Sequence, residues 1–333
     1  MALHPLLGIA RMLLLAQLGP VAYFGAVAWE GSSRLIDPSE RSSGCLTPGH
    51  LGWTYEAVNY DRATDDRLLL EDDPMACRGA PEPAGRELLS ADGVPLAAWW
   101  IPAASGTASA ASAVVMVHGY ADNKSGMLRY AVLLHEHYDL VLFDLRNSGQ
   151  SGGRWTTQGV GEQRDVAAVI DWLVRTHGPR RIAVFGQSMG GEASVNWVAS
   201  DDRVDALILD STHDRLETPV LSGMRRLGLP FGTATLPLMV QLAEWRSGED
   251  LTAGDPVDAV GRLGSRPLLL LHGGGDLVDP LPAARALHQA ALDRGVDVQL
   301  HVCPAADHGE LDTVCSDDYP IWLETFLDRA LAA

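Results

Sequence analysis

From residue 114 to residue 331 the sequence alternates between short apolar runs and amphipathic segments. The longer segments place apolar residues three or four positions apart, as Val166, Val169 and Ile170 do within residues 160–176. Continuous apolar strands separated by helices are typical of a mostly parallel sheet covered on both faces. The sequence therefore predicts an α/β fold, with strands at residues 114–117, 140–143, 182–185, 206–209, 268–271 and 298–302.

One connection in this alternation has an unusual composition. The residues Gly186, Gln187, Ser188, Met189 and Gly190 join the strand at 182–185 to a predicted helix at 192–199. A G-x-S-x-G at a strand-to-helix turn is the pattern of a nucleophile elbow, where the sharp turn leaves no room for side chains two residues from the serine. The motif is short, so a catalytic interpretation requires a base, an acid and oxyanion donors elsewhere in the chain.

The candidate base and acid lie in loops that follow predicted strands. A serine hydroxyl needs a base to accept its proton, and the base needs an acid that orients it. His308 lies between the last strand and the last helix, and is the candidate base. Asp276 lies in the glycine-rich loop after residues 268–271 and is the candidate acid. Asp279 and Asp210 are its rivals, although Asp279 also suits a helix cap.

Two backbone N–H groups are candidates for an oxyanion hole. One belongs to Met189, the residue after the nucleophile, and the other to Tyr120, in the loop after residues 114–117. His118 and His272, which stand at strand ends, are expected to have structural roles.

The N-terminal part of the chain differs from the rest. Residues 12–29 contain no charged side chain and are long enough for a helix that crosses a bilayer. Residues 1–30 are therefore predicted to be a retained signal anchor, or a signal peptide cleaved after Ala28, with a buried helix as the alternative. The first two options place the enzyme outside the cytoplasm, anchored in the membrane or secreted. Residues 31–85 lack periodicity and predict an irregular extension before an α/β domain at 86–333.

Cysteine usage is consistent with export. The four cysteines are Cys45, Cys77, Cys303 and Cys315. Their proximity in sequence suggests the pairs Cys45–Cys77 and Cys303–Cys315, and free thiols are the alternative.

The regular alternation stops between residues 211 and 262. Residues 216–245 are rich in Met and Leu. Such a stripe is compatible with core packing, but its position after a strand that neighbours the elbow also favours a lid or a wall of an acyl-binding site.

The charge balance excludes one class of partner. The chain has 43 Asp and Glu against 25 Lys and Arg, a formal net charge of −18. Nucleic-acid binding needs a basic surface, so no nucleic-acid partner is expected. The sequence contains no Walker A motif, no G-x-G-x-x-G after a strand and no H-E-x-x-H, and we expect neither a cofactor nor a metal. The expected partner is a small-molecule acyl substrate.

The sequence resembles the α/β-hydrolase superfamily, and within it the Bem46 and prolyl-oligopeptidase (serine aminopeptidase)-like branch. The segments that carry the resemblance are 117–120, 143–153, 186–190, 272–276 and 307–310. The resemblance implies Ser188, Asp276 and His308 as a catalytic triad that hydrolyses an ester, thioester or amide through an acyl-enzyme. A peptidase, an amidase or an acyltransferase would use the same triad. One departure is Asn147, where such enzymes often have glycine, and we expect it to affect only a surface turn.

Overall fold

An eight-stranded sheet is the central feature of the computed structural model, which describes residues 22–37, 46–60, 87–105, 112–228 and 232–332. The sheet order is β1-β2-β4-β3-β5-β6-β7-β8. Strands β3 to β8 are all parallel, and β1 and β2 form an antiparallel edge. The strands are β1 (Glu56–Val58), β2 (Ala98–Ile101), β3 (Ser112–Val117), β4 (Asp139–Phe143), β5 (Arg181–Gln187), β6 (Ala206–Asp210), β7 (Leu268–Gly273) and β8 (Val298–Cys303). The predicted mostly parallel sheet is confirmed.

Helices cover both faces of this sheet. The described part of the first helix, α1, is residues 22–36. The others are α2 (Leu128–Leu134), α3 (Gln163–Thr176), α4 (Met189–Val198), α5 (Glu217–Arg226), α6 (Gly232–Ser247), α7 (Pro256–Val260), α8 (Leu281–Leu292), α9 (Leu311–Val314) and α10 (Tyr319–Ala330). Two short 3-10 segments lie at Pro48–Leu51 and Lys124–Met127.

Strand β3 shows why the central strands are apolar throughout. Val115 and Val117 belong to one core cluster, which includes side chains of α3, α4, α7 and α8. Val114 and Met116 belong to a second cluster, which includes side chains of α2 and α10. Successive side chains of a strand point to opposite faces. Because residues 113–117 of this strand are buried on both faces, all of them are apolar.

A third apolar cluster lies above the carboxyl edge of the sheet. It joins α1 to α5 and α6, two of the three helices between β6 and β7. Ala28 and Ile36 of α1 are fully buried there, beside Met224 of α5 and Met239 of α6. A Cβ atom on Gly31 would overlap the Met239 side chain, so α1 and α6 are in close contact. These helices form a cap on the site described below.

The structure changes the description of the N-terminal segment. The described part of the predicted charge-free run, residues 22–29, lies in a helix that continues past Glu30 and Arg34 to residue 36. Across the described ranges, none of the helices combines the length and apolar character needed to span a bilayer. Residues 12–21 of the run are outside those ranges. Strand β1 lies within residues 31–85 and pairs with β2. It has only three residues, which are too few to show the periodicity of a strand.

One predicted disulfide is confirmed. Cys303 and Cys315 are bonded, with their Cα atoms 6.0 Å apart, and the bond links the end of β8 to the residue after α9. Cys45 and Cys77 lie outside the described residues.

Buried cations hold the loop that follows β4. Lys124 Nζ lies 2.6 Å from a carboxylate oxygen of Asp144, and both side chains are buried. Arg146 Nη2 lies 2.7 Å from Asp165 on α3. Directly after Arg146, Asn147 has a φ of 56°, in the left-handed region that asparagine tolerates better than most residues. Asparagine can therefore replace glycine at this turn.

Candidate active site

Ser188 occupies a strained turn between β5 and α4. Its φ of 52° and ψ of −125° lie outside the regions that non-glycine residues favour. A Cβ atom on Gly186 would lie 2.6 Å from the Gly190 oxygen, and a Cβ on Gly190 would overlap the Val117 carbonyl. The glycines are therefore required by close backbone approach. The Ser188 N–H donates to the Asp210 carbonyl at 2.8 Å, which fixes the turn against β6.

The structure brings Ser188, His308 and Asp276 together. The distance from His308 Nε2 to Ser188 Oγ is 3.0 Å, and from His308 Nδ1 to Asp276 Oδ2 it is 2.9 Å. The other Asp276 oxygen accepts the N–H groups of Val278 and Asp279 at 2.8 and 2.7 Å. The three side chains come from the carboxyl ends of β5, β7 and β8, as the parallel sheet requires. This contact network holds the carboxylate and orients the imidazole.

The two rival carboxylates make other contacts. Asp210 is buried and accepts hydrogen bonds from Tyr319 Oη at 2.5 Å and Ser211 Oγ at 2.8 Å, and burial raises its pKa. Asp279 Oδ2 lies 3.8 Å from His308 Nδ1, too far for a hydrogen bond. The expectation that Asp279 caps a helix is wrong, because the N-cap position of α8 is Pro280 and no side chain caps it.

The protonation of His308 depends on the acids around it. Burial lowers the pKa of His308, but the hydrogen bond and charge of Asp276, together with the charges of Asp279 and Asp210, raise it above its ordinary value on balance. With Nδ1–H donated to Asp276, Nε2 is free to accept the proton of Ser188. The His308 side chain is 20% exposed, so a reacting molecule can reach this nitrogen.

Backbone from both predicted oxyanion segments adjoins the nucleophile. Met189 is the first residue of α4, where an N–H group has no carbonyl partner within the helix. A Cβ atom on Gly119 would lie 3.1 Å from the Cβ of Ser188, so the loop that carries Tyr120 passes beside the serine. His118 has a structural role there: its Nε2 accepts from Leu145 N–H at 3.0 Å and its Nδ1 donates to the Gly119 carbonyl at 2.8 Å.

Ser188 and His308 lie between two cavities of different character. The larger has a volume of about 740 Å³ and is lined mainly by apolar side chains of α1, α5 and α6. The smaller has a volume of about 330 Å³ and is lined by polar side chains that include Asp122, Arg129 and Gln187. The apolar side chains that line the larger cavity include Ala26, Val27, Leu35, Val220, Met224, Leu227 and Met239.

A second histidine–carboxylate cluster adjoins the larger cavity, which His213 helps to line. The distance from His213 Nε2 to Glu192 Oε2 is 2.5 Å, and from His213 Nδ1 to Asp279 Oδ2 it is 3.8 Å. Burial raises the pKa of Glu192 to about 7. Burial lowers the pKa of His213, but Glu192 and Asp279 raise it well above its ordinary value. This cluster could not be found from the sequence, because its members come from three separate segments without a motif.

No metal centre is evident in the ranges that the structure describes. Within them, no group of three or more His, Cys, Asp or Glu side chains has an arrangement that could hold a metal ion.

Comparisons with known proteins identify the fold. The family model of the alpha/beta hydrolase fold matches residues 112–238. The solved structure of the Pyrococcus furiosus esterase Pf2001 superposes with a TM-score of 0.68 and 22% identity, over 90% of this chain and 99% of that one. An acylaminoacyl peptidase superposes with a TM-score of 0.54 and 20% identity, over 71% of this chain and 40% of that one. The uncharacterized protein YfhR of Escherichia coli K12 is 28% identical over 83% of this chain and 88% of its own.

Proposed function

We propose that this chain, which has the α/β-hydrolase fold, is a serine hydrolase that cleaves a carboxylic ester through an acyl-enzyme. One observation carries the proposal: the unbroken hydrogen-bonded series from Ser188 Oγ through His308 to Asp276. An ordinary serine hydroxyl is a weak nucleophile, and a positioned imidazole with a fixed tautomer is the arrangement that activates it.

The geometry accounts for acylation. His308 Nε2 accepts the proton of Ser188 as Oγ forms a bond to the carbonyl carbon. The carbonyl oxygen becomes an oxyanion, for which the N–H groups of Met189 and Tyr120 are the proposed donors. The positive end of α4, at Met189, favours the same negative charge. When the bond between the carbonyl carbon and the alcohol oxygen breaks, His308 returns the proton to the departing alcohol.

Deacylation repeats these steps with water. His308 accepts a proton from water as its oxygen attacks the acyl carbon, and then returns that proton to Ser188 Oγ. The products are the free acid and the original enzyme. Asp276 keeps Nδ1 protonated throughout and stabilises the imidazolium that forms twice in each cycle.

An ester is preferred over an amide for two reasons. The neighbour with the larger TM-score is described as an esterase, and the apolar cavity beside Ser188 suits an acyl chain. A peptidase or amidase is the second candidate, because another neighbour is described as an acylaminoacyl peptidase.

A pair of substrate types tests the proposal. We expect p-nitrophenyl esters to be hydrolysed with a larger kcat/KM than aminoacyl anilides with the same acyl group. The Ser188→Ala variant is expected to lose this hydrolysis while it unfolds at the wild-type temperature. Faster cleavage of the anilides would assign the chain to the peptidases instead, and hydrolysis that persists in Ser188→Ala would refute the nucleophile.

A further inference from the structure

The two cavities beside Ser188 favour binding of chemically different parts of a substrate, one apolar and one polar. The larger, at about 740 Å³, is within the range of roughly 300–1,000 Å³ that small-molecule sites occupy. An apolar group of a substrate that binds there is removed from water, and this favours binding in proportion to the apolar area buried. The smaller, at about 330 Å³, offers Asp122, Arg129 and Gln187. Both cavities share Tyr120, Ser188 and His308, so an ester bond at Ser188 would place one part of its substrate in each.

The polar cavity has fixed groups for hydrogen bonds. Arg129 is held in place by the Gly309 carbonyl, by Tyr130 Oη and by Asp312, whose carboxylate lies 3.3 Å away. The positive charge of Arg129 is therefore partly neutralised. A leaving alcohol with additional hydroxyl or charged groups would find donors and acceptors there, whereas an apolar alcohol would leave them without partners.

Helix α1 is a structural part of the apolar cavity. Ala26, Val27 and Leu35 line it. The C-terminal end of α1 is fixed by hydrogen bonds from Gln158 Nε2 to the Leu35 carbonyl at 2.6 Å, and from Thr156 N–H to the Ile36 carbonyl at 2.8 Å.

We propose that the substrate is a monoacyl ester of a polar alcohol, a single-chain amphiphile. This inference rests on the proposed ester hydrolysis. The acyl chain lies between α1 and the helices α5 and α6, and the alcohol leaves through the polar cavity. Because α1 supplies a wall of the acyl site, the inference also requires residues 26–35 in the active enzyme. Cleavage after Ala28 would remove Ala26 and Val27 from that wall and would cut the chain at a fully buried residue.

One substitution can fill the apolar cavity without disturbing the triad. Gly223 of α5 lines the cavity, and a Cβ atom there would meet no heavy atom within 4 Å. Gly223→Phe therefore places a ring in open space. Gly25 of α1 is exposed and also has open space at its Cβ position, but it does not line the cavity. Gly25→Phe is the matched control.

The test measures kcat/KM for the p-nitrophenyl esters of acetate, butyrate, octanoate and dodecanoate in the full chain. For the wild type we expect a rise of about fourfold per added methylene until the cavity is full. Gly223→Phe is expected to lower the value for octanoate by more than about tenfold relative to the value for acetate. Gly25→Phe is expected to retain the wild-type profile.

A second experiment tests the preference for a polar alcohol and uses only the wild-type protein. Glyceryl octanoate is expected to be hydrolysed with a larger kcat/KM than hexyl octanoate, since only glycerol offers hydroxyls to the polar cavity. Hydrolysis of p-nitrophenyl acetate with a flat acyl-length profile, or a preference for hexyl octanoate, would overturn this inference and leave ester hydrolysis standing. Absence of hydrolysis of every ester, together with absence of fluorophosphonate labelling, would instead reject the proposed function.

Discussion

Two histidines lie close to the carboxyl edge of the sheet, and both contact carboxylates. His308 bonds Asp276 on one side and Ser188 on the other, with a side chain that is 20% exposed. His213 contacts Glu192 and approaches Asp279, and its side chain is 3% exposed. The pKa of each histidine is raised by its acidic neighbours against the effect of burial. The two histidines differ in the group that their second ring nitrogen faces. For His308 this group is the Ser188 hydroxyl, and for His213 it is a second carboxylate.

In the proposed mechanism this difference separates a base from a structural ion pair. His308 is the proposed base because its Nε2 faces the Ser188 hydroxyl, which opens on two cavities. His213 Nε2 lies 2.5 Å from Glu192 Oε2, and the two side chains are only 3% and 1% exposed. A raised pKa is therefore insufficient to identify a catalytic histidine, and the geometry of the second nitrogen decides. The predictions below test this assignment, in order of decreasing effect.

The largest effect is expected for His308→Ala. Without the imidazole, the proton of Ser188 has no acceptor, and we expect kcat for p-nitrophenyl acetate to fall by about 10⁵-fold. His137→Ala, which removes an exposed histidine, is the control and should retain full activity. The measurement is steady-state kinetics on protein whose unfolding temperature equals that of the wild type. A loss of less than about tenfold would mean that another group is the base.

Asp276→Asn is expected to lower kcat by about 10⁴-fold. The amide can donate to Nδ1 and so favours the tautomer that presents Nε2–H to the serine, which is the wrong one for a base. Asp279→Asn is the matched control, because Asp279 is in the same loop but 3.8 Å from His308 Nδ1 instead of 2.9 Å. Equal losses of kcat in the two variants would contradict the choice of Asp276 as the acid.

His213→Gln is expected to affect stability more than chemistry. It leaves the Glu192 carboxylate buried without its cation, and we expect the free energy of unfolding to fall by about 3 kcal/mol. The double variant Glu192→Gln/His213→Gln removes both charges and should be more stable than His213→Gln alone. Denaturant unfolding measures both values. If the His213→Gln protein has wild-type stability but is no longer labelled by a fluorophosphonate, then His213 takes part in the reaction.

Asp279→Asn is expected to shift the pH dependence of activity. His308 must be neutral to act as a base, so kcat/KM falls as the pH drops through the pKa of His308, which lies above its ordinary value of about 6.5. The negative charges that face the imidazole are those of Asp276, Asp279 and Asp210. Removing one of them destabilises the imidazolium and lowers the pKa, so the acid limb should move to lower pH.

The measurement for this variant is a kcat/KM profile from acidic to alkaline pH. Asp202→Asn, at a fully exposed position, is the control and should retain the wild-type profile. A shift of the acid limb to higher pH in Asp279→Asn would contradict the account of how the carboxylates act on His308.

Much of the sheet and the three candidate side chains could be predicted from the sequence, because each depends on local signals. The apolar runs mark strands that are buried on both faces, and the glycines around Ser188 mark a turn that excludes side chains. The order of Ser188, Asp276 and His308 along the chain matches the order of the strands that carry them. These features require no knowledge of distant contacts.

The segment that contains α5 and α6 is a candidate lid on the sequence alone, but the contribution of α1 to the cap and the second histidine cluster depend on distant contacts and could not be predicted. The charge-free residues 12–29 predict a membrane segment, and only the packing of α1 on α5 and α6 shows that Ala26, Val27 and Leu35 line a cavity. Glu192 follows the elbow on α4, and nothing in the local pattern indicates that His213 lies 2.5 Å from its carboxylate. Residues that contribute to one site from separate segments leave no periodicity to detect.

Mapping a fluorophosphonate adduct on the wild-type chain by peptide mass spectrometry tests directly whether Ser188 is the nucleophile. We expect a single adduct on Ser188, formed slowly or not at all in His308→Ala and unchanged in rate in His137→Ala. Ester hydrolysis by a protein whose adduct lies on another residue, or whose Ser188 stays unmodified, would contradict the assignment of Ser188.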